Sequence, residues 1–139
     1  MITHKDCFKK YGAPENESNM VLYDVLYHNK ILALPKRIYC NIDLIEPLER
    51  ALYSIVFNKL ENQIKSWDGC FNIRKKRGNS TPSLHSWGVA IDINAAWNQF
   101  GQPPTMSKEL VQCFKDAGFD WGGDWSKPDG MHFQLSSLD

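Results

Sequence analysis

Two histidines and an aspartate offer the clearest chemistry in this sequence. His85 and Asp92 lie seven residues apart, and His132 lies in a second short segment near the C-terminus. A catalytic zinc ion takes three protein ligands of these types and leaves a fourth position for water. The three residues therefore predict a zinc site, provided that the fold brings the two segments together.

A hydrolytic zinc site also needs a carboxylate that moves a proton and a donor that stabilises a developing oxyanion. Asp129, three residues before His132, is the candidate for the carboxylate. Arg74 and Arg77 are both candidates for the donor, because they follow a segment that we predict to be a strand. The sequence does not decide which of the two arginines is the donor.

The strand predicted at Val89–Asn94 must position the first two ligands. Its residues alternate, so Asp92 shares one face with Ala90 while apolar residues occupy the other face. Strands disfavour aspartate and a buried carboxylate needs a partner, so a purely structural role explains Asp92 poorly. Ala90 leaves room for a metal ion on that face, and a turn at Gly88 can bring His85 back over it.

A second strand, predicted at Met131–Leu135, places His132 and Gln134 opposite three apolar residues. If the two strands are neighbours, His132 projects from the sheet on the same side as Asp92. A third strand is predicted at Phe71–Ile73.

Two amphipathic helices are predicted to cover the apolar side of these strands. Apolar residues recur at helical spacing over Ile45–Ile64, with Pro47 in the first turn. The second helix is predicted over Ser107–Ala117, with a serine N-cap and Gly118 as its stop. The polar segment through Asn19 is predicted as loop. Because helices and strands mix without a βαβ repeat, an α+β fold is expected.

The composition fits one domain over residues 1–139, since that length can bury one core and no linker or repeat divides it. Basic and acidic residues number 16 each, which argues against a nucleic-acid partner, and the basic run Arg74–Arg77 taken alone is predicted as a solvated loop. No apolar segment has the length of a signal peptide or a membrane span, so no stable membrane insertion is expected. The four widely spaced cysteines are expected to be free thiols. The aromatic residues Trp121, Trp125 and Phe133 are expected to belong to the core rather than to a substrate-binding surface.

Three motifs resemble those of the zinc D-alanyl-D-alanine carboxypeptidase and L-alanyl-D-glutamate endopeptidase family, which includes bacterial cell-wall peptidases and phage endolysins. The motifs are Ser83-x-His85-x-x-Gly88-x-Ala90-x-Asp92, Trp121-Gly122-Gly123-Asp124-Trp125 and Asp129-x-x-His132-Phe133. The resemblance covers residues 71–135, and the first and third motifs together are too specific for a chance match.

The resemblance implies a role for each matching residue. The implied Zn²⁺ ligands are His85, Asp92 and His132. Asp129 would be the catalytic base, Arg74 would contact the substrate and stabilise the transition state, and Ser83 would lie at the substrate-binding edge. The implied fold, shared with the Hedgehog signalling domain, is a small antiparallel sheet with helices packed on one face.

The implied activity is hydrolysis of an amide bond in the peptidoglycan stem peptide. Many carboxypeptidases of the family have glutamate at the position of Asp129, whereas phage endopeptidases often have aspartate. We therefore expect an L-alanyl-D-glutamate endopeptidase of the phage endolysin type, with a D-alanyl-D-alanine carboxypeptidase as the alternative. A non-catalytic zinc-binding module and a metal-independent binding protein are the alternatives from other classes.

The expected partner is the stem peptide, and the chain is expected to be a monomer. The expected location is the host cytoplasm until release to the cell wall during phage lysis, or export by a route other than the general secretory one.

Overall fold

The chain folds into three α-helices and six β-strands, and the computed structural model describes all 139 residues. Helices α1, α2 and α3 span His4–Tyr11, Ile42–Phe57 and Lys108–Ala117. The strands are β1 Met20–Asp24, β2 Arg37–Asn41, β3 Trp67–Gly69, β4 Ala90–Ile93, β5 Phe119–Trp121 and β6 His132–Leu135. None of the helices combines the length and the apolar character that a membrane crossing requires. The mixture of helices with antiparallel strands confirms the predicted α+β class.

The central sheet is antiparallel and has the strand order β3-β4-β6-β5, beside a separate two-stranded sheet of β1 and β2. In the β4–β6 pair, Asp92 lies opposite His132 and Ile91 lies opposite Phe133. Directly opposed residues of an antiparallel pair project to the same side of the sheet. Asp92 and His132 therefore share one face, and the two apolar residues share the other. The two strands are neighbours, which was the condition for the predicted shared face of Asp92 and His132.

The apolar face of this sheet packs against the helices. The ring of Phe114, in α3, stacks on Phe133 with 4.3 Å between centroids. Leu48 and Leu52 of α2 belong to the same buried cluster as Ile91. Because the helices contact the apolar face, the opposite face remains available to polar side chains.

Helix α3 begins and ends as its sequence predicts. The Ser107 side chain accepts a hydrogen bond from the Leu110 amide at 3.1 Å, which satisfies a donor that the first turn leaves unpaired. Gly118 ends the helix in the left-handed region, with φ 107°.

Helix α2 begins earlier than the predicted range Ile45–Ile64. Asn41 is its N-cap, and the side chain of Asn41 accepts a hydrogen bond from the Asp43 amide at 2.9 Å. Pro47 consequently lies inside the helix rather than in its first turn. The prediction of the start was wrong because the cap lies before the first residue of the apolar repeat.

The same helix also ends before Ile64. The side chain of Asn58 donates to the Ser54 carbonyl at 2.8 Å, and Lys59 adopts a left-handed conformation with φ 58°. The chain then turns back and buries Ile64 from outside the helix. Ile64 fits the apolar spacing because it is buried, although it lies outside the helix. The spacing therefore predicted a helix that is too long.

The N-terminal segment, predicted as loop, contains helix α1. Thr3 and Asp6 form a capping box, in which the Thr3 amide donates to the Asp6 carboxylate at 2.7 Å. Cys7 and Tyr11, four residues apart, are buried on one face of this short helix. Two apolar contacts are too few for the periodicity to reveal a helix.

The third strand of the central sheet also lies elsewhere than predicted. β3 pairs with β4 through a bulge, whereas the predicted strand Phe71–Ile73 has no strand pairing. The Asn72 amide in this segment donates to the carbonyl of His85 at 3.1 Å. The segment therefore supports the turn that carries His85, and its alternating residues do not belong to the sheet.

Candidate metal centre

Three ligand atoms converge on the polar face of the central sheet. His85 Nε2 lies 3.1 Å from Asp92 Oδ1, and His132 Nδ1 lies 3.6 Å from the same oxygen. The two imidazole nitrogens are 3.2 Å apart, and all three side chains are buried. The structure thus brings together, within 4.8 Å of one another, the three residues predicted as zinc ligands.

A tight turn between the loop and β4 positions His85. Residues Leu84–Trp87 form a 3-10 turn, and the Ser83 side chain caps it by accepting a hydrogen bond from the His85 amide at 3.3 Å. Gly88 follows in the left-handed region with φ 68°, and a Cβ atom there would lie 2.8 Å from the backbone nitrogen of Asn41. Glycine at this position lets the turn lie close against β2 and return the imidazole to the polar face.

The hydrogen bond of His85 to the backbone determines which ring nitrogen is free. His85 Nδ1 lies 2.7 Å from the Cys70 carbonyl oxygen, which can only accept. Nδ1 therefore carries the hydrogen, and Nε2 presents its lone pair to Asp92. Histidine ligands of metals are commonly oriented in this way by a carbonyl or carboxylate partner.

Gln134 orients His132 in the same way, from the next position of β6 on the same face of the sheet. Its side-chain oxygen lies 2.9 Å from His132 Nε2 and accepts the hydrogen from that nitrogen. The lone pair of His132 is therefore on Nδ1, which faces the same point as His85 Nε2. Sequence alternation placed Gln134 on the correct face, but it gave no reason to assign a role to this residue.

The set of three facing acceptors fits a metal cation. Asp92 Oδ1 is buried and has no hydrogen-bond donor, and each histidine turns an unprotonated nitrogen toward it. A buried acceptor without a donor costs roughly 1–3 kcal/mol. A cation at the centre would satisfy all three, and two imidazoles with one carboxylate are a ligand set of catalytic zinc.

The surroundings keep Asp92 ionised, as a metal ligand must be. Burial raises the pKa of Asp92, but when the imidazoles are protonated, hydrogen bonds from His132 and His85 outweigh this effect and hold the pKa below its ordinary value. Arg74 adds a third favourable contact, with its Nη2 3.8 Å from Asp92 Oδ2.

A cavity of about 190 Å³ opens beside these ligands. Asp92 and His132 contribute to its lining, and His85 lies buried behind them. The other three residues with predicted roles, Asp129, Arg74 and Ser83, line the same cavity. All six predicted residues therefore lie at one place, where a substrate could reach the open side of the metal position.

Asp129 is held in the loop before β6 by two backbone hydrogen bonds. Its amide donates to the Gly122 carbonyl at 2.9 Å, and its carbonyl accepts from the His132 amide at 3.0 Å. A Cβ atom on Gly122 would lie 2.4 Å from the Asp129 carbonyl oxygen, so the approach requires glycine. Burial raises the pKa of the Asp129 carboxyl, while the nearby His132 acts in the opposite direction. A raised pKa suits a carboxylate that must accept a proton.

The structure separates the two candidate arginines. Arg74 is tied to the histidine turn, because its amide donates to the Ser86 hydroxyl at 3.2 Å and that hydroxyl donates back to the Arg74 carbonyl at 3.0 Å. Its guanidinium points toward Asp92. Arg77 also lines the cavity, but its guanidinium lies over the ring of Phe100, 5.7 Å from the centroid.

The aromatic residues near the site divide between core and cavity. Trp121 stacks on Phe133 and packs against the core, in agreement with its prediction as a core residue. Trp125, predicted in the same way, instead lines the cavity with its ring 5.3 Å from that of His132. That prediction was wrong because the 3-10 turn Gly122–Asp124 carries Trp125 out of β5.

Comparison with known families agrees with this geometry. Residues 77–135 match the family model described as D-alanyl-D-alanine carboxypeptidase. This match supports a peptidase function. The matched segment is less than half of the chain and contains the three facing ligands and Asp129, whereas Arg74 lies just before it. No solved structure matches the chain.

Proposed function

We propose that this protein is a zinc-dependent peptidase that hydrolyses an amide bond in the peptidoglycan stem peptide. The observation that carries the proposal is the convergence of His85 Nε2, Asp92 Oδ1 and His132 Nδ1 beside a cavity that also contains Asp129. The match of residues 77–135 to a peptidase family supports the same chemistry.

His85, Asp92 and His132 would hold the metal through two nitrogens and one oxygen. Zinc bound there would supply Lewis acidity toward water and toward the scissile carbonyl. The hydrogen bonds from His85 to the Cys70 carbonyl and from His132 to Gln134 keep both imidazoles in the tautomer that ligation needs.

Asp129 carries the proton transfers in this proposal. Its carboxylate accepts a proton from the attacking water and delivers it to the nitrogen of the leaving amine. The raised pKa of Asp129 favours acceptance of the proton. Because Asp129 is not one of the three facing ligands, its oxygens stay free to deliver the proton to the amine.

Arg74 and Ser83 orient the substrate. The Arg74 guanidinium, one-third exposed, can donate hydrogen bonds to the carbonyl oxygen on which negative charge develops. Ser83 lines the cavity, although its hydroxyl already accepts a hydrogen bond from the His85 amide. We therefore assign Ser83 both to the support of the histidine turn and to the substrate edge.

The bond that we favour is the one between L-alanine and D-glutamate, in an enzyme of the phage endolysin type. The presence of aspartate rather than glutamate at position 129 supports this choice over a D-alanyl-D-alanine carboxypeptidase. Cleavage at the C-terminal D-alanine is the second candidate, since the matching family model carries that description.

A non-catalytic zinc module is the alternative from another class. A structural zinc site closes its fourth position with a protein ligand. Here three ligands face a cavity, and the nearby Asp129 serves no such closed site. This arrangement favours catalysis.

Mass spectrometry of digested peptidoglycan tests the proposal, because the new termini identify the bond. We expect new N-terminal D-glutamate when zinc-loaded protein is added, and none with chelator present. Free D-alanine as the only product would support the carboxypeptidase instead. Intact stem peptides after incubation with zinc-loaded protein would favour the non-catalytic module.

A further inference from the structure

The mouth of the cavity is positively charged although the whole chain is neutral. Basic and acidic residues number 16 each, yet the lining has four cations and two carboxylates. The cations are Arg74, Lys76, Arg77 and Lys127. Arg74 faces Asp92, but none of the other three has an acidic partner within 4.0 Å. The excess charge is therefore local to the entrance.

The basic run Arg74–Arg77 is a largely exposed loop, as its sequence predicts, and it also borders the cavity. Three of its four residues line the cavity, and Lys75 is the exception. The run folds back through a bridge between Lys75 and Pro82, and Arg74 and Lys76, on either side of Lys75, line the cavity.

One aromatic ring gathers two of these cations. The Arg77 guanidinium lies 5.7 Å from the centroid of Phe100, and Lys127 Nζ lies 4.9 Å from the same centroid. The segments of Phe100 and Lys127 are joined by a hydrogen bond of 2.7 Å from the Gly101 amide to the Pro128 carbonyl. Cation–π contacts hold a charged group in place without consuming all of its hydrogen-bond donors.

We propose that Arg77, Phe100 and Lys127 form a carboxylate-binding subsite at the mouth of the cavity. This subsite selects stem peptides that carry a free carboxylate close to the cleaved amide. The selection rests on the peptidase function proposed above. A carboxylate accepts hydrogen bonds from both cations and supplies the acidic partner that neither has within 4.0 Å. Holding both cations on one ring before binding reduces the entropy lost when the substrate arrives.

A matched pair of substrates and three variants test the subsite. One synthetic stem peptide carries its free carboxylates, and in the other the carboxylates near the cleaved bond are carboxamides. The variants are Arg77→Met, Lys127→Met and, as the control, Lys75→Met, which removes an exposed charge from the same loop outside the cavity. Zinc content and melting temperature are measured for each, so that a folding defect is recognised.

We expect Arg77→Met and Lys127→Met each to raise KM for the free-acid peptide roughly three- to ten-fold, with kcat changed by less than about twofold. For wild-type protein, KM for the carboxamide peptide should be at least as high as the KM of either variant for the acid, and the variants should raise it little further. Lys75→Met should behave as wild type. Added salt should raise KM for the acid alone, because screening weakens charge pairs at a rim.

Calorimetric binding of both peptides separates failure of the subsite from failure of the peptidase. Equal KM values for the two peptides, or cation variants identical to Lys75→Met, would overturn the subsite while peptide cleavage still stands. If neither peptide is cleaved but the free acid binds more tightly than the carboxamide, and Arg77→Met and Lys127→Met abolish that preference, the subsite stands and the peptidase falls. Absence of both cleavage and preferential binding would overturn both.

Discussion

Asp92 and His132 lie directly opposite each other in the β4–β6 pair, with Asp92 Oδ1 3.6 Å from His132 Nδ1. Their approach is a consequence of strand register, since opposed residues of an antiparallel pair share a face. A slip of one residue would move one of them to the apolar face and dismantle the site. The packing of Phe133 against Phe114 on the other face fixes the register, so the hydrophobic core and the site depend on each other.

Replacing His132 with alanine should remove zinc from the protein. Two ligands remain, and the Nδ1 lone pair that completes the set of three is lost. Metal analysis of purified protein should show about one zinc ion per wild-type chain and close to none in the variant. His28→Ala, a partly exposed histidine outside the site, is the control. Unchanged zinc content in His132→Ala would exclude this residue as a ligand.

Replacing Gln134 with leucine should weaken zinc binding while the fold is kept. Leucine has a similar volume but cannot accept the hydrogen from His132 Nε2, so the ring loses its fixed tautomer. We expect the zinc dissociation constant to rise roughly 10- to 100-fold in competition with a chromophoric chelator.

Gln134→Glu, which keeps an acceptor, should retain most of the affinity, and the exposed Gln112→Leu should match wild type. Equal affinities for Gln134→Leu and Gln112→Leu would mean that the hydrogen bond has no role in metal binding.

Asp129→Asn should retain zinc and lose hydrolysis. The amide keeps the shape of the side chain but cannot accept the proton, and loss of a general base typically costs about 10²- to 10⁴-fold in rate. Release of stem-peptide fragments, measured together with zinc content, checks this. Asp24→Asn, an exposed carboxylate remote from the cavity, provides the comparison. A fully active Asp129→Asn protein would rule out this residue as the base.

Gly88→Ala should destabilise the fold more than Gly78→Ala. Both glycines have positive φ, 68° and 64°, so alanine strains the backbone at either position by roughly 1–2 kcal/mol. Only at Gly88 would the new Cβ also meet a backbone atom, the Asn41 nitrogen at 2.8 Å, whereas the space at Gly78 is open.

The clash at Gly88 should add roughly 1–3 kcal/mol to the loss of unfolding free energy in urea. Similar losses for the two variants would show that the turn before β4 has room to relax.

The strands that carry the ligands were predictable because a single alternation of residues separates the polar ligands from the apolar core residues. Alternation in β4 and β6 set Asp92 and His132 apart from the apolar residues, and the register of the sheet then brought them together. Helix α3 was predictable for a similar reason, since Ser107 and Gly118 mark its two ends by their own conformational preferences.

Features that depend on the backbone or on long-range contacts were not predictable. The backbone carbonyl of Cys70 orients His85. Because every residue has a backbone carbonyl, the residue type at this position does not indicate the role. The ring of Phe100 gathers Arg77 and Lys127, which lie 50 residues apart in the chain, and only the fold reveals that meeting. Helix α1 escaped prediction because its buried face consists of only Cys7 and Tyr11.

Titration of one protein preparation with chelator and then with zinc tests the central claim most directly. Zinc content and release of stem-peptide fragments from purified peptidoglycan are measured at each step. In wild-type protein, hydrolysis should fall in proportion to the zinc removed and return when zinc is restored. In His132→Ala, added zinc should produce no hydrolysis. Undiminished hydrolysis by the zinc-free protein would contradict the assignment of catalysis to the site formed by His85, Asp92 and His132.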